Sequence, residues 1–553
     1  MDKKEQKYRR IRNIAIVAIV IVLIAIVINL APNFVKNFNT GKMTVIINNK
    51  DITEKMKFDP FVGENDVIYV ATKDIARYFD DNIFYDNVYK QILTSSETKF
   101  AALPLDVNEM YVNSSKVEIN GSAREKDNQF YLPFSEMNDV YNVEVKYYKE
   151  TNTLIVDSLD KEQKKGNASK DISIKYKPTI FSKNVDDVKQ GNSMVIIAKR
   201  DDGWYKVRTN NGVIGYTKDV TNIYTARENM EEKKQIYGTV SLIWDYFTRT
   251  VPDRSGTTIE GVNVISPSFI EIEKLGKGEI IDKIGTSGQK YIDWAHQNGY
   301  KVWAMVSNNS YPDTTTEILN DYKLREILIN NIVDIVLQYN LDGINLDFEY
   351  VQQSNKDVYT RLIIELAPRL KEYGKVLSVD VTAPDGSADW SECYDRNAIG
   401  KVADYIVFMA YDQYGTSSTK AGTTAGADWV EVAIEKFINR EEVPADKIIL
   451  GMPFYTRVWK ENDELTSDVI YMRSVDKNIP AGVEKEWKDD VKQYYIEYEK
   501  NGSTYKMWIE DEKSIEAKFD LMDKYKLAGA AYWQIDFEKD TIWNILKERT
   551  KIK

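Results

Sequence analysis

The chain is short of the two side chains on which much enzyme chemistry depends. Its 553 residues include one cysteine, Cys393, and one histidine, His296. A single cysteine excludes an internal disulfide framework and any cysteine-based zinc or iron–sulfur site. A single histidine excludes a His-rich metal centre. It also excludes a Ser-His-Asp arrangement unless His296 itself takes part. No metal or cofactor is expected, and catalysis must run on carboxylates, Tyr or Lys. Excess positive charge is also missing: 74 Lys and Arg stand against 86 Asp and Glu. The basic residues Lys3, Lys4, Lys7, Arg9, Arg10 and Arg12 give the first twelve positions a local +4, so the rest of the chain carries −16. That balance argues against nucleic acid as the main partner. What remains is ordinary for globular protein, with 43% hydrophobic and 29% charged residues, at a length of three or four domains. The 36 Tyr and 11 Trp are many; aromatics line sugar and peptide grooves, although most pack in cores.

Residues 14–28 are an unbroken run of Ile, Val, Ala and Leu, and Leu30 and Ala31 extend it past Asn29 to 18 residues. That is near the minimum for a membrane span. A cleaved signal peptide is the alternative, but Pro32 after Ala31 and Asn29 near the would-be cleavage site disfavour it. The expectation is a basic cytoplasmic tail at 1–12 and a single-pass signal anchor at 13–31, with everything beyond facing outward from the cell membrane towards the cell wall.

Residues 43–158 read as short alternating strands in two similar units, each with a strand pair, a short helix and a closing strand. The pattern resembles the stalk-like domain named after the copper amine oxidase N-terminus. There is no His cluster, so the resemblance implies no copper; a spacer is expected. Residues 160–169 are polar and Lys-rich and read as a linker. Residues 171–224 contain Gly203-Trp204-Tyr205-Lys206-Val207 and Gly215-Tyr216. They resemble a bacterial Src-homology-3-like barrel, either a binder of cell-wall peptides or a spacer.

From 235 to 548 strands alternate with helices. Eight apolar strand candidates fall at 239–244, 261–266, 301–306, 343–349, 376–382, 405–411, 448–454 and 529–535, with helical stretches at 315–339, 356–372 and 514–525. Eight βα units in about 310 residues predict a (β/α)8 TIM barrel, whose active site lies at the C-terminal strand ends. The fold class is therefore multi-domain: this barrel, preceded by a small α+β stalk, a small all-β barrel and one transmembrane helix. The fourth strand reads Asp342-Gly343-Ile344-Asn345-Leu346-Asp347-Phe348-Glu349. Alternation puts Asn345, Asp347 and Glu349 on one face, pointing into the barrel, and Ile344, Leu346 and Phe348 on the other. Three inward polar groups are costly unless hydrogen-bonded.

This strand resembles glycoside hydrolase family 18, whose signature is D-G-x-D-x-D-x-E. Asp342, Gly343, Asp347 and Glu349 match, and Asn345 replaces the middle Asp. The same family is matched by Met409-Ala410-Tyr411-Asp412 on strand six, by Gly451-Met452-Pro453-Phe454-Tyr455-Thr456-Arg457 on strand seven, and by Trp533 on strand eight. The resemblance implies a retaining, substrate-assisted hydrolase. Glu349 would be general acid and base, and the substrate's own 2-acetamido oxygen the nucleophile. Asp347 would orient that group and stabilise the oxazolinium ion, and Tyr411 would donate to the acetamido oxygen. Asp412, Trp533, Asn345, Tyr455, Arg457, Met409 and Trp244 would form the substrate site. Asn345 removes a carboxylate that could share a proton with Asp347, and so bears on the pH profile.

Several other residues carry weaker expectations. Tyr246, Asn308, Trp390 and Trp459 are candidates for the cleft. Trp303 is expected in the core, Cys393 inert, and His296 structural, at a helix end on the non-catalytic side. The excursion at 460–528, with a hairpin around Asn501-Gly502, is placed to wall the cleft. The substrate expected is cell-wall glycan, peptidoglycan first. A chitinase, a non-catalytic glycan-binding member of the family and a wall-spanning scaffold remain alternatives, and protein partners are unknown.

Overall fold

The computed structural model describes residues 15–17, 20, 41–230 and 234–552. The basic tail and almost all of the apolar run at 14–31 therefore lie outside the described residues. Among the described residues no helix is long and apolar enough to cross a membrane. The chain divides near residue 232 into two compact units.

The first unit begins with the repeated domain. In its first half a hairpin (Thr44–Ile47, Lys50–Asp51), a strand (Ile68–Ala71), a helix (Thr72–Tyr78) and a second hairpin (Phe84–Asp86, Gln91–Ser95) follow one another. The second half repeats this order with Glu109–Val112, Ser115–Glu118, Gln129–Pro133, Val143–Tyr148 and Thr153–Ser158. Its helix is reduced to the single 3-10 turn Phe134–Glu136. The halves are interleaved: Thr44–Ile47 pairs in parallel with Thr153–Ser158, and Ile68–Ala71 pairs with Gln129–Pro133. Neither half can close its sheets alone. Val45, Ile68, Val70, Ile75, Leu132, Phe134 and Leu154 meet in one core.

A seven-stranded antiparallel sheet completes this unit. It corrects the expected linker at 160–169. Gln163–Ala168 is a strand paired on both sides, with Ser193–Lys199 and Val220–Arg227. Gln163, Gly166 and Ala168 are buried while Lys164 is exposed. The lysines are the solvent face of a sheet strand, which composition alone made look like a tether.

The second unit is a closed barrel of eight parallel strands: β1 Val240–Asp245, β2 Val264–Pro267, β3 Lys301–Ser307, β4 Gly343–Asp347, β5 Val376–Val381, β6 Tyr405–Met409, β7 Ile448–Pro453 and β8 Gly529–Trp533. Each pairs with the next, and β8 closes onto β1 with Val240 opposite Gly529. Gly529 permits that closure, since a Cβ there would stand 1.8 Å from the Val240 carbonyl oxygen. The outer ring holds α1 Gly285–Gln297, α2 Pro312–Asn320, α3 Tyr322–Gln338, α4 Lys356–Glu372, α5 Arg396–Val402, α6 Ala427–Asn439, α7 Glu512–Tyr525 and α8 Ile542–Thr550.

Two expectations are corrected here. The β1–β2 connection contains no helix, so the eight βα units are not all complete. The helix expected at 315–339 is two helices, because Asp321 takes an extended conformation and caps α3 by accepting from the backbone N–H groups of Lys323 and Leu324. The excursion after β7 is a five-stranded antiparallel sheet, with strands Gln493–Lys500 and Ser503–Ile509 joined at Asn501-Gly502, both in the left-handed region.

The alternation read from β4 holds in the packing. Ile344, Leu346 and Phe348 belong to the apolar layer between strands and helices. Each such buried aliphatic or aromatic side chain contributes roughly 1.5–3 kcal/mol. A separate, smaller cluster fills the barrel itself, with Trp244, Trp303, Met305, Val407 and Ile449. Trp303 is therefore core, as expected.

Candidate active site

Above the apolar plug, the inward face of β4 climbs from Asn345 through Asp347 to Glu349. Asn345 is fully buried and all four of its amide bonds are made. Its Oδ1 accepts from Trp244 Nε1 at 2.7 Å and Ser266 Oγ at 3.3 Å. Its Nδ2 donates to Asp380 Oδ1 at 2.6 Å and Ser378 Oγ at 3.1 Å. Three strands besides its own are thus tied to this one side chain.

Asp347 is 7% exposed and its Oδ1 is buried without a hydrogen-bond partner. Burial, with the nearby charges of Glu349 and Asp380, pushes its carboxyl well above the usual range. Glu349 is half-buried at the mouth. Its backbone is clamped on both sides by Asn308: its N–H donates to Asn308 Oδ1 at 3.0 Å, and Asn308 Nδ2 donates to its carbonyl at 2.8 Å. Burial and the charge of Asp412 push the Glu349 carboxyl up to about 7. A carboxyl so placed is protonated and deprotonated with equal ease near neutrality, as general acid–base work requires.

β6 delivers Met409, Tyr411 and Asp412. Asp412 accepts from the Tyr455 hydroxyl at 2.8 Å and from Arg457 Nη2 at 3.2 Å. Burial raises the Tyr411 hydroxyl well above its ordinary value, so it stays a hydrogen-bond donor at neutral pH. Trp533 ends β8, with its ring 5.7 Å from Trp244 and 5.8 Å from Tyr246. Asp347, Glu349, Asp380, Trp390, Met409, Tyr411, Asp412, Tyr455 and Trp533 line one cavity of about 150 Å³.

Seven of the ten site residues expected from the sequence therefore face a common space. The other three are placed differently. Trp244 and Asn345 are fully buried, do not line the cavity, and hold one another. Arg457 lies behind Asp412, paired with it and hydrogen-bonded to Thr416. Trp459, a cleft candidate, is fully buried, with its indole N–H donating to the Gly422 carbonyl at 2.7 Å. Trp390 does reach the cavity and packs 5.2 Å from Tyr350.

Asp380 was not anticipated. The signal was available: Ser378 and Asp380 alternate within the otherwise apolar β5, the same pattern that exposed β4. At the opposite, N-terminal end of the strands, His296 Nε2 meets Asp342 Oδ2 at 2.7 Å, and Lys301 reaches the other oxygen at 2.8 Å. Cys393 is buried and its thiol is pushed up to about 12. Among the described residues no group of His, Cys, Asp and Glu is disposed to hold a metal ion.

In a closed parallel barrel the active site lies at the C-terminal strand ends, which is where this cavity lies. Residues 242–538 match the family model Glycosyl hydrolases family 18, and residues 46–156 match the Copper amine oxidase N-terminal domain. The first match spans more than half of the chain. The chain belongs to glycosyl hydrolases family 18, and it is a glycoside hydrolase.

Relatives include the uncharacterized glycosylase YvbX of Bacillus subtilis (strain 168), 25% identical over 301 residues, which are 52% of this chain and 85% of that protein. The cortical fragment-lytic enzyme of Bacillus anthracis is 25% identical over 254 residues, 44% of this chain and 58% of that protein. Among solved structures, the spore cortex-lytic enzyme SleL of Bacillus megaterium QM B1551 shares the fold, with a TM-score of 0.51 at 21% identity, over 66% of this chain and 90% of that one.

Proposed function

We propose that the protein hydrolyses β-linked N-acetylglucosamine-containing glycan, peptidoglycan first, with net retention and with the substrate's own acetamido group as nucleophile. The observation that carries this reading is the Glu349 carboxyl, held near neutrality at the mouth of a cavity that also presents Asp347, Tyr411 and Trp533. Protonated Glu349 gives its proton to the glycosidic oxygen as the bond to the anomeric carbon breaks. The acetamido carbonyl oxygen attacks that carbon and closes an oxazolinium ring. The Glu349 carboxylate then takes a proton from water, whose oxygen attacks the same carbon from the face vacated by the leaving group and reopens the ring.

The unpartnered Oδ1 of Asp347 is a buried acceptor suited to the acetamido N–H, and the Tyr411 hydroxyl is a donor for the acetamido oxygen. Trp533 offers its face to the sugar ring. Peptidoglycan is favoured by address: the apolar run at 14–31 behind a basic tail would tether the catalytic body outside the membrane, against the wall. The names of the cortex-lytic relatives support the same substrate.

The test is incubation of the full chain in detergent, and of its Glu349→Gln variant, with purified peptidoglycan and with chitin oligomers, the products being reduced and identified by mass spectrometry. New reducing N-acetylglucosamine ends from peptidoglycan, absent with the variant, are expected. Cleavage of chitin oligomers alone would move the substrate to chitin. Binding to glycan without products from either would make the protein a binding module and overturn the reading.

A further inference from the structure

The carboxylate that Asn345 removes from β4 reappears one strand away. Asp380 stands on the inward face of β5, is 1% exposed, lines the same cavity as Asp347 and Glu349, and accepts from Asn345 Nδ2 at 2.6 Å. Among the described residues the cavity lining contains no lysine or arginine, and Arg457 is already bound to Asp412. Asp347, Asp380 and Glu349 thus share a desolvated space without a cation, and they cannot all be ionised near neutrality.

Hydrogen bonding decides where the charge rests. Burial and the charge of Glu349 push the Asp380 carboxyl well above its usual range as they do Asp347, but Asp380 receives a donor from Asn345, which favours its anion, whereas Asp347 Oδ1 receives none. The other titratable groups that act on these carboxyls are Tyr411 from the end of β6, Tyr359 from α4, and Tyr246, Tyr350 and Tyr394, all with hydroxyls raised above the ordinary value, and Asp412, which is paired with Arg457. None supplies a positive charge.

We infer that Asp380 is a positioning residue for Asp347: its carboxylate, anchored by Asn345, takes the place of the absent β4 carboxylate and keeps Asp347 neutral beside Glu349. A neutral Asp347 keeps its carbonyl-like oxygen free for a substrate N–H and adds no charge next to the catalytic carboxyl. This inference rests on the reaction proposed above.

The test is a carboxylate swap in the full chain, followed on whichever glycan the parent cleaves. Asp380→Asn moves the anionic charge onto Asp347, two residues from Glu349 on the same face. It is expected to lower kcat/KM by about tenfold or more and to displace the alkaline limb of its pH profile upwards by about half a unit or more. The double variant Asn345→Asp, Asp380→Asn reverses the donor and acceptor of one hydrogen bond and keeps the shape of both side chains. Trp244 and Ser266 still find an oxygen at 345. It is expected to return kcat/KM to within about threefold of the parent and to restore the limb.

An Asp380→Asn variant with an unshifted limb would overturn the inference, as would a double variant no more active than the single one. Should the single variant fail to fold, the double variant decides alone. Should neither fold, the difference in the carboxyl infrared band between the parent and Asp347→Asn at pH 7 decides: the inference requires the signal of one protonated acid to disappear, and an unchanged band refutes it. A parent inactive on every N-acetylated glycan refutes the proposed function instead.

Discussion

Replacing Glu349 by Gln is expected to stabilise the protein in alkali and to leave its stability unchanged in acid. The perturbation removes a charge whose formation is opposed by burial and by Asp412, the two causes that lift the carboxyl from 4.5 to about 7. One pKa unit corresponds to about 1.4 kcal/mol, so the displacement is worth about 3 kcal/mol. Its folded-state pKa is raised. Below the unfolded value of 4.5 the group is neutral in both states and costs nothing. Between 4.5 and about 7 the unfolded chain ionises while the folded protein does not, and stability falls. Above about 7 the full cost is present. Gln fills the same volume with no charge to desolvate. At pH 8 the variant should therefore exceed the parent by up to about 3 kcal/mol. For a unit of this size, that raises the barrel's melting temperature by about 4 °C; at pH 4 the two should coincide. Scanning calorimetry of parent and variant from pH 4 to pH 8 reads this directly. A melting-temperature difference that is the same at both ends of the range would refute the electrostatic reasoning, because only a titrating group makes it pH-dependent.

Four further outcomes follow from the same geometry. Activity of the parent should fall as pH rises through about 7, where Glu349 loses its proton, and Asp412→Asn should move that fall to lower pH; an unmoved limb in steady-state kinetics counts against their coupling. Trp244→Phe takes the donor from Asn345 Oδ1 and should cost about 1–3 kcal/mol in denaturant melts, with a loss of activity although the side chain touches no substrate. Arg325 makes two bonds of 3.0 Å to the fully buried Glu365, so Arg325→Ala strands that carboxylate and should destabilise the barrel by roughly 3–5 kcal/mol in the same assay. Arg208 and Asp157 form a bidentate pair that is nearly as buried, joining the repeated domain to the seven-stranded sheet; Arg208→Ala should lower the melting of the first unit and leave glycan cleavage untouched.

The barrel and its site were legible wherever a period-2 pattern met a strand end. β4 declared itself through Asn345, Asp347 and Glu349 because three polar side chains on one face have no place in a fully buried strand unless they face a cavity. The same test applied to β5 finds Ser378 and Asp380, which the motif-led reading passed over. Depth was less legible than direction. Trp244, Trp459 and Asp412 are all near strand ends, yet only Asp412 reaches the cavity; the first two are claimed by hydrogen bonds to Asn345 and to the Gly422 carbonyl. Those partners lie 101 and 37 residues away, beyond any local pattern. The strand Gln163–Ala168 was hidden for a related reason. Its lysines advertise solvent, and the burial of Gln163 and Ala168 depends on two distant strands arriving on either side.

The substitution of Asn for Asp at 345 does not leave the site poorer in polar organisation. An amide can donate and accept at once, and Asn345 uses both capacities to fasten β1, β2 and β5 to β4. A carboxylate in its place could accept from Trp244 and Ser266, but as an anion it would offer nothing to Asp380 and would bring a further charge into a space without a cation. The amide therefore permits Asp380 to be buried there, and Asp380 in turn bears on Asp347 and Glu349. Reverting Asn345 alone to Asp, with Asp380 kept, should accordingly impair the enzyme rather than improve it. A carboxylate at 345 would then join Asp347, Asp380 and Glu349, none of them paired with a cation, and the cost of ionising Glu349 would rise further. A single reversion that raised kcat/KM at neutral pH would contradict this account of the site's charge.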